Sequence, residues 1–177
     1  MRKLENSELL RPSKEEFKNL PKMPFVVVLD NVRSCHNIGS VFRTSDALLV
    51  EKLYLCGITS TPPDKEIRKT ALGAENSVVW EYRDSTVDLV TDLKLQGYLV
   101  VAIEQVEKST SLENYCPPEN SKLALIFGNE VKGVQQEVVD CCDLSLEIPQ
   151  YGTKHSFNIS VSVGIVLWDL FSKLKAR

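Results

Sequence analysis

Three polar stretches, each following an apolar segment, hold the residues that could do chemistry. The last runs Ile148-Pro149-Gln150-Tyr151-Gly152, then Lys154-His155-Ser156-Phe157-Asn158. Behind it comes a helical stretch that is apolar nearly all round, with Ile159, Val161, Val163, Ile165, Val166 and Leu167. A helix apolar on every face is buried in a core or covered by a partner. Polar side chains wedged between such elements cost free energy unless something answers them. The second stretch is Phe127-Gly128-Asn129-Glu130-Val131-Lys132-Gly133. Glycine permits close backbone approach or positive φ, so a ligand could pass over Gly128. The first is Asn37-x-Gly39-x-x-x-Arg43. Amides, a carboxylate, a hydroxyl and a guanidinium are groups that orient a polar ligand and stabilise developing negative charge. Each also has a plainer reading: Asn37 as an N-cap, Gly39 as a packing point, Arg43 as a solvated charge, Ser156 as the cap of the last helix. Against solvation, Arg43 follows Phe42 among apolar positions, which places it near a partly buried edge. No GxGxxG, GxxxxGK[ST] or GxSxG occurs, so the common nucleotide and hydrolase fingerprints are absent.

The elements that must position these loops alternate. Phe25–Asp30 is a continuous apolar run, the mark of a strand buried on both faces of a parallel sheet. Helical spacing follows over Asn37–Leu49, then strand Lys52–Cys56. Pro62–Leu72 reads as a helix with proline at its start, Val78–Tyr82 as a strand, and Ser85 or Thr86 to Gln96 as a helix ended by Gly97. Strand Tyr98–Ile103, a polar loop Glu107–Asn120, strand Leu123–Phe127, helix Val134–Cys141 and strand Leu144–Ile148 lead into the last helix. This predicts an α/β fold with a mostly parallel, six-stranded sheet and helices on both faces. Ligands of such sheets sit beyond the carboxyl ends of the strands. Residues 1–23 form a short N-terminal extension, with a capping box at Ser13-x-x-Glu16; residues 24–177 form one domain.

Composition narrows the class. The 177 residues are 43% hydrophobic and 25% charged, an ordinary globular balance. No apolar run is long enough to span a bilayer, and no apolar signal region follows the N-terminal charges. Five cysteines without framework spacing fit a reducing cytosol, so a cytoplasmic protein is expected. Two histidines and no CxxC argue against a metal site. The net charge of −3 confines any nucleic-acid contact to local basic patches.

Taken together, the order and spacing of the three stretches resemble the three motifs of the SpoU (TrmH-type) RNA 2′-O-ribose methyltransferases of the SPOUT superfamily. The resemblance covers residues 24 to 174. It runs through Asn37-Ile38-Gly39-Ser40-Val41-Phe42-Arg43, then Leu125 to Gly133, then Ile148 to Gly152 and Ser156 to Ser160. Gln150 stands where methionine is common and Phe157 where leucine is common. The resemblance implies S-adenosylmethionine as cofactor, bound in a deep C-terminal trefoil knot. It also implies an RNA substrate, tRNA ahead of rRNA, and a homodimer with the site near the subunit interface. The apolar last helix, with Trp168 and Phe171, independently offers more apolar surface than one small sheet covers.

By the same resemblance Arg43 engages the ribose hydroxyl or its phosphate, Asn37 orients Arg43 or the ribose, and Glu130 pairs with one of those two. Ser156 and Asn158 complete the hydrogen-bond net. Backbone groups of Gly128, Ile148 and Phe157 hold the cofactor, and Phe127, Asn129, Gln150 and Glu104 adjoin it. On that reading Gly128→Val abolishes cofactor binding without unfolding the chain. Arg33, Arg68, Lys69, Lys132 and Lys154 flank the loops and could meet phosphates, or be ordinary solvated charges. Two other classes compete: a non-catalytic RNA-binding module on the same fold, and an α/β enzyme acting on a small nucleotide-like molecule. The presence of Asn37, Arg43, Glu130, Ser156 and Asn158 together favours the enzyme.

Overall fold

The structure is a computed structural model that describes residues 1–175; the end of the expected domain, residues 176 and 177, lies outside them. Its organising strand is β1 (Met23–Asp30), buried without interruption from Phe25 onward. Side chains of a strand alternate between faces, and here both faces are apolar. Phe25, Val27 and Leu29 pack with Ile38, Val41 and Phe42 of α2 (Cys35–Ala47), Ile67 of α3 (Lys65–Ala71), and Val163, Val166 and Leu167 of α6 (Ile159–Lys175). Val26 and Val28 pack on the opposite face with Leu89, Val90 and Leu93 of α4 (Thr86–Leu95) and Val138 of α5 (Gln136–Cys141). The continuous apolar run is thus the consequence of a sheet covered on both sides.

The sheet has seven strands, not six, and every pairing among the described strands is parallel. The order is β3-β2-β1-β6-β4-β7-β5, where β2 is Val50–Cys56, β3 Trp80–Arg83, β4 Tyr98–Ile103, β5 Thr110–Ser111, β6 Lys122–Phe127 and β7 Leu144–Glu147. The extra strand, β5, is two residues long and pairs only with β7. No periodicity can reveal so short a strand inside a polar loop.

Helix starts differ from expectation for local reasons. Ser34, not Asn37, caps α2, its hydroxyl accepting the Asn37 N–H at 3.3 Å. Helix α3 starts at Lys65 and not at Pro62, because Asp64 caps it by accepting the Glu66 and Ile67 N–H groups. Asn158, not Ser156, caps α6 by accepting the Ser160 N–H at 2.9 Å. The N-terminal helix α1 (Lys14–Asn19) begins with the expected reciprocal Ser13–Glu16 capping box.

Gly39 is the packing point between α2 and α3. A Cβ there would lie 2.2 Å from both the Ile67 carbonyl oxygen and the Thr70 hydroxyl. That hydroxyl also donates to the His36 carbonyl at 2.9 Å, stitching the two helices. Gly39→Ala therefore pushes α3 away and lowers stability by about 1–3 kcal/mol, the usual cost of overpacking. Thermal melting should show a drop of roughly 2–10 °C for a chain of this size.

Candidate functional site

The carboxyl ends of β4, β6 and β7 open into one cavity of about 400 Å³. Ile103, Phe127 and Leu146, at or next to the last positions of those strands, give it an apolar floor. Gly128, Ile148 and Phe157 line it, and their backbone groups enter none of the loop hydrogen bonds among the described residues. Gln150, Ser156 and Asn158 add polar side chains, and Val131 and Lys132 form part of its lip. An apolar floor with few convergent polar groups, in this size range, is the form of a small-molecule site.

Beside the cavity a directed hydrogen-bond chain ties the three motifs together. Glu130 accepts from the backbone N–H groups of Arg33 and Ser34, both at 3.0 Å, and from Asn37 Nδ2 at 3.1 Å. Asn37 Oδ1 accepts from Asn158 Nδ2 at 3.1 Å. Asn158 Oδ1 accepts from the Ser160 N–H and hydroxyl. An ionised carboxylate only accepts, so Glu130 fixes which end of Asn37 faces it, and Asn37 in turn fixes Asn158. One amide hydrogen on Asn37 and one on Asn158 are left over by this inventory.

Burial pushes the Glu130 carboxyl upward, but the Arg33 N–H, its own N–H, the Asn37 amide and the Ser34 N–H outweigh it, so its pKa lies below the ordinary value of 4.5. A depressed carboxylate contributes stability that is present above its unfolded pKa and lost as pH falls through the folded one. Melting curves of the wild type and Glu130→Gln should therefore differ most at neutral pH and converge as the pH falls through the lowered folded-state pKa of Glu130.

The cavity wall is held by two further expected cofactor contacts. Glu104 lines the cavity, and its Oε2 accepts the Val134 N–H at 3.0 Å while Oε1 accepts the Gln105 N–H at 2.8 Å. Asn129 lines it too. Its Oδ1 accepts the Val131 and Lys132 N–H groups and its Nδ2 donates to the Asn31 carbonyl at 2.7 Å. Both side chains shape the Gly128–Gly133 turn. That turn is closed by reciprocal Asn129–Gly133 backbone hydrogen bonds of 2.9 Å.

The structure does not bring every expected residue together. Arg43 is exposed, lines no part of the cavity, and makes no hydrogen bond or ion pair among the described residues. It stands about 9 Å along α2 from Asn37, so Glu130 pairs with Asn37 and not with Arg43, and the expected partly buried edge is open surface. Arg33, Arg68 and Lys154 are exposed and unpaired among the described residues, while Lys69 is engaged by Glu66 at 2.6 Å. Gln105 and Gly133 went unassigned in the sequence. Gln105 follows directly on the carboxyl end of β4, which is the positional signal that could have marked it.

The profile of the SpoU rRNA Methylase family matches residues 24–168. A 23S rRNA (guanosine-2′-O-)-methyltransferase of Neisseria meningitidis is 29% identical over 150 residues, 85% of this chain and 59% of its own length. A tRNA (guanosine(18)-2′-O)-methyltransferase of Aquifex aeolicus is 32% identical over 147 residues, 81% of this chain and 67% of its own. The chain thus spans about three-fifths to two-thirds of the length of these curated relatives. The crystal structure of the A. aeolicus TrmH/SpoU tRNA modifying enzyme superposes with a TM-score of 0.81 at 26% identity, covering 92% of this chain and 83% of that one. With two of its motifs lining one cavity, the first tied to both through Asn37, and the family profile matching most of its length, the chain belongs to the SpoU RNA methylase family.

Proposed function

We propose that the protein transfers a methyl group from S-adenosylmethionine to a ribose 2′-hydroxyl of RNA, tRNA ahead of rRNA. The observation that carries this reading is the hydrogen-bond chain Glu130–Asn37–Asn158 set at the edge of the cavity. The cavity suits the cofactor: an apolar floor for its base, uncommitted backbone groups at Gly128, Ile148 and Phe157, and Gln150 and Ser156 for its polar end. When bound, the cofactor supplies an electrophilic methyl on a sulfonium sulfur.

The chain's own residues must align the ribose oxygen and help it carry negative charge. Asn37, clamped at both ends of its amide, offers its remaining N–H to the ribose. Asn158 offers another, and Ser156 a hydroxyl. Arg43 stabilises the alkoxide and positions the neighbouring phosphate. A guanidinium stays protonated, so a phosphate oxygen or water takes the proton. Arg33, Arg68, Lys132 and Lys154 meet further phosphates; Lys69 does so only when released from Glu66.

The working form is a homodimer with the site near the subunit interface, and the C-terminal part of the chain forms the family's deep knot. Two features support the dimer. Val161 and Trp168 lie seven residues apart on α6, Trp168 being 61% exposed and stacked on Phe171. Arg43 stands outside its own chain's cavity. Trp168→Glu should shift the protein from dimer to monomer in sedimentation velocity, while an unchanged dimer would exclude α6 from the interface. Residues 1–23 form an extension, and the catalytic domain starts at 24. A cytoplasmic setting fits the five free cysteines.

Calorimetric titration with S-adenosylmethionine tests the reading. Micromolar binding is expected. RNA binding without any cofactor binding would identify a non-catalytic module on this fold.

A further inference from the structure

One part of the cavity rim is built differently from the rest. Tyr151 to His155 are all exposed, and Tyr151 is 91% so, its phenol unpaired among the described residues. The loop is nevertheless tethered. The His155 carbonyl accepts from Gln105 Nε2 at 2.9 Å, which pins one end of the loop to the segment after β4, and from Gln150 Nε2 at 3.4 Å, which ties the loop's two ends together. At the other end, Gln150 lines the cavity, which sets Tyr151 next in the chain to its mouth. The lip formed by the Gly128–Gly133 turn carries Val131, 76% exposed, and Lys132. Neither Lys132 nor Lys154 makes an ion pair among the described residues.

A single exposed aromatic ring is ordinary on a protein surface. Here it sits on a tethered loop, at the mouth of a cavity, with unpaired ammonium groups near it in the chain and on the Gly128–Gly133 lip. A flat π-face combined with cations is what an unpaired stretch of nucleic acid takes: a base stacks on the ring and the flanking phosphates meet the charges. Duplex RNA has no base face to offer. The tyrosine hydroxyl has no partner to satisfy, so only the ring is needed.

Resting on the RNA methyltransferase reading above, we propose that Tyr151 is a stacking platform for an unpaired nucleobase beside the acceptor nucleotide, with Lys132 and Lys154 meeting its phosphates. The platform selects looped-out RNA over duplex and holds the acceptor ribose at the mouth of the cavity.

The test compares wild type, Tyr151→Phe, Tyr151→Trp and Tyr151→Ala in three measurements. These are affinity for fluorescently labelled bulk tRNA and for rRNA fragments, the RNA KM and kcat with cofactor saturating, and the calorimetric cofactor Kd. Tyr151→Ala should weaken RNA binding and raise KM by about 5- to 100-fold, the range for one lost base stack. Its kcat and cofactor Kd should stay unchanged, and Tyr151→Phe and Tyr151→Trp should stay within about twofold of wild type. Equal RNA affinity for wild type and Tyr151→Ala would overturn the proposal. So would a cofactor Kd that weakens as much as RNA binding does, because the ring would then serve the cofactor. A wild type that binds neither RNA would overturn it as well. A wild type that binds RNA more tightly than Tyr151→Ala, yet transfers no methyl, would uphold the platform and sink the methyltransferase reading instead.

Discussion

Arg43→Ala should lower methyl transfer by about 10²–10³-fold, the usual loss when one preorganised charge-stabilising donor is removed. Its cofactor affinity and melting temperature should match wild type. The stability half of this expectation follows from the structure: Arg43 is exposed and makes no hydrogen bond or ion pair among the described residues. No fold-holding contact is lost with it. The catalytic half follows from the chemistry. A ribose hydroxyl attacking a methyl sulfonium develops negative charge on oxygen, and in the proposed dimer an exposed, uncommitted guanidinium can meet that charge bidentately. Arg43→Lys separates charge from geometry, because it keeps the cation and loses the fork. It should recover only part of the lost rate. Turnover near the wild-type rate in the lysine variant would show that a point charge suffices and would remove the bidentate role.

Gly128→Val should abolish cofactor binding and, contrary to the simplest reading of the sequence, also destabilise the fold. A Cβ on residue 128 would lie 2.0 Å from the Gly133 carbonyl carbon and the Val134 nitrogen, both backbone atoms. Backbone cannot swing aside as a side-chain tip can. The turn that carries Glu130 and Asn129 must therefore open, and with it the Val134–Glu104 hydrogen bond of 3.0 Å. Overpacking of this kind costs about 1–3 kcal/mol, with further loss when buried hydrogen bonds go unmade. Even Gly128→Ala should show both effects, which calorimetry and thermal melting would measure side by side. Lost cofactor binding with an unchanged melting temperature would mean that the ligand, and not the turn, excludes a side chain here.

The frame of the fold was legible because the information is local and periodic. The run from Phe25 to Asp30 announces a strand buried on both faces, and the observed packing of Phe25, Val27 and Leu29 against one set of helices and Val26 and Val28 against another is its cause. The Ser13–Glu16 capping box was legible for the same reason. What escaped depends on contacts distant in sequence or on very few residues. Strand β5 is two residues of a polar loop that pair with β7 more than thirty positions away. Gly39 and Gly128 announce that something comes close. Only the structure says that it is the Ile67 carbonyl in one case and the Gly133–Val134 backbone in the other. Likewise the family resemblance sets Glu104 and Asn129 beside the cofactor, and both line the cavity. That their side-chain oxygens hold backbone N–H groups depends on how the turn closes. Asn37, Glu130 and Asn158 were grouped by motif, and their direct bonding in one chain gives that grouping a physical content.

The central claim is transfer to a ribose oxygen, and the most direct measurement follows the methyl. The protein is incubated with S-adenosylmethionine labelled on its methyl group and with tRNA or rRNA, and the RNA is then hydrolysed in alkali. A free 2′-hydroxyl is required for that cleavage, so a methylated ribose protects the adjoining linkage. The label is expected in alkali-resistant dinucleotides. Label released in mononucleotides would place the methyl on a base, and RNA that stays unlabelled with both substrates would contradict the transferase account altogether.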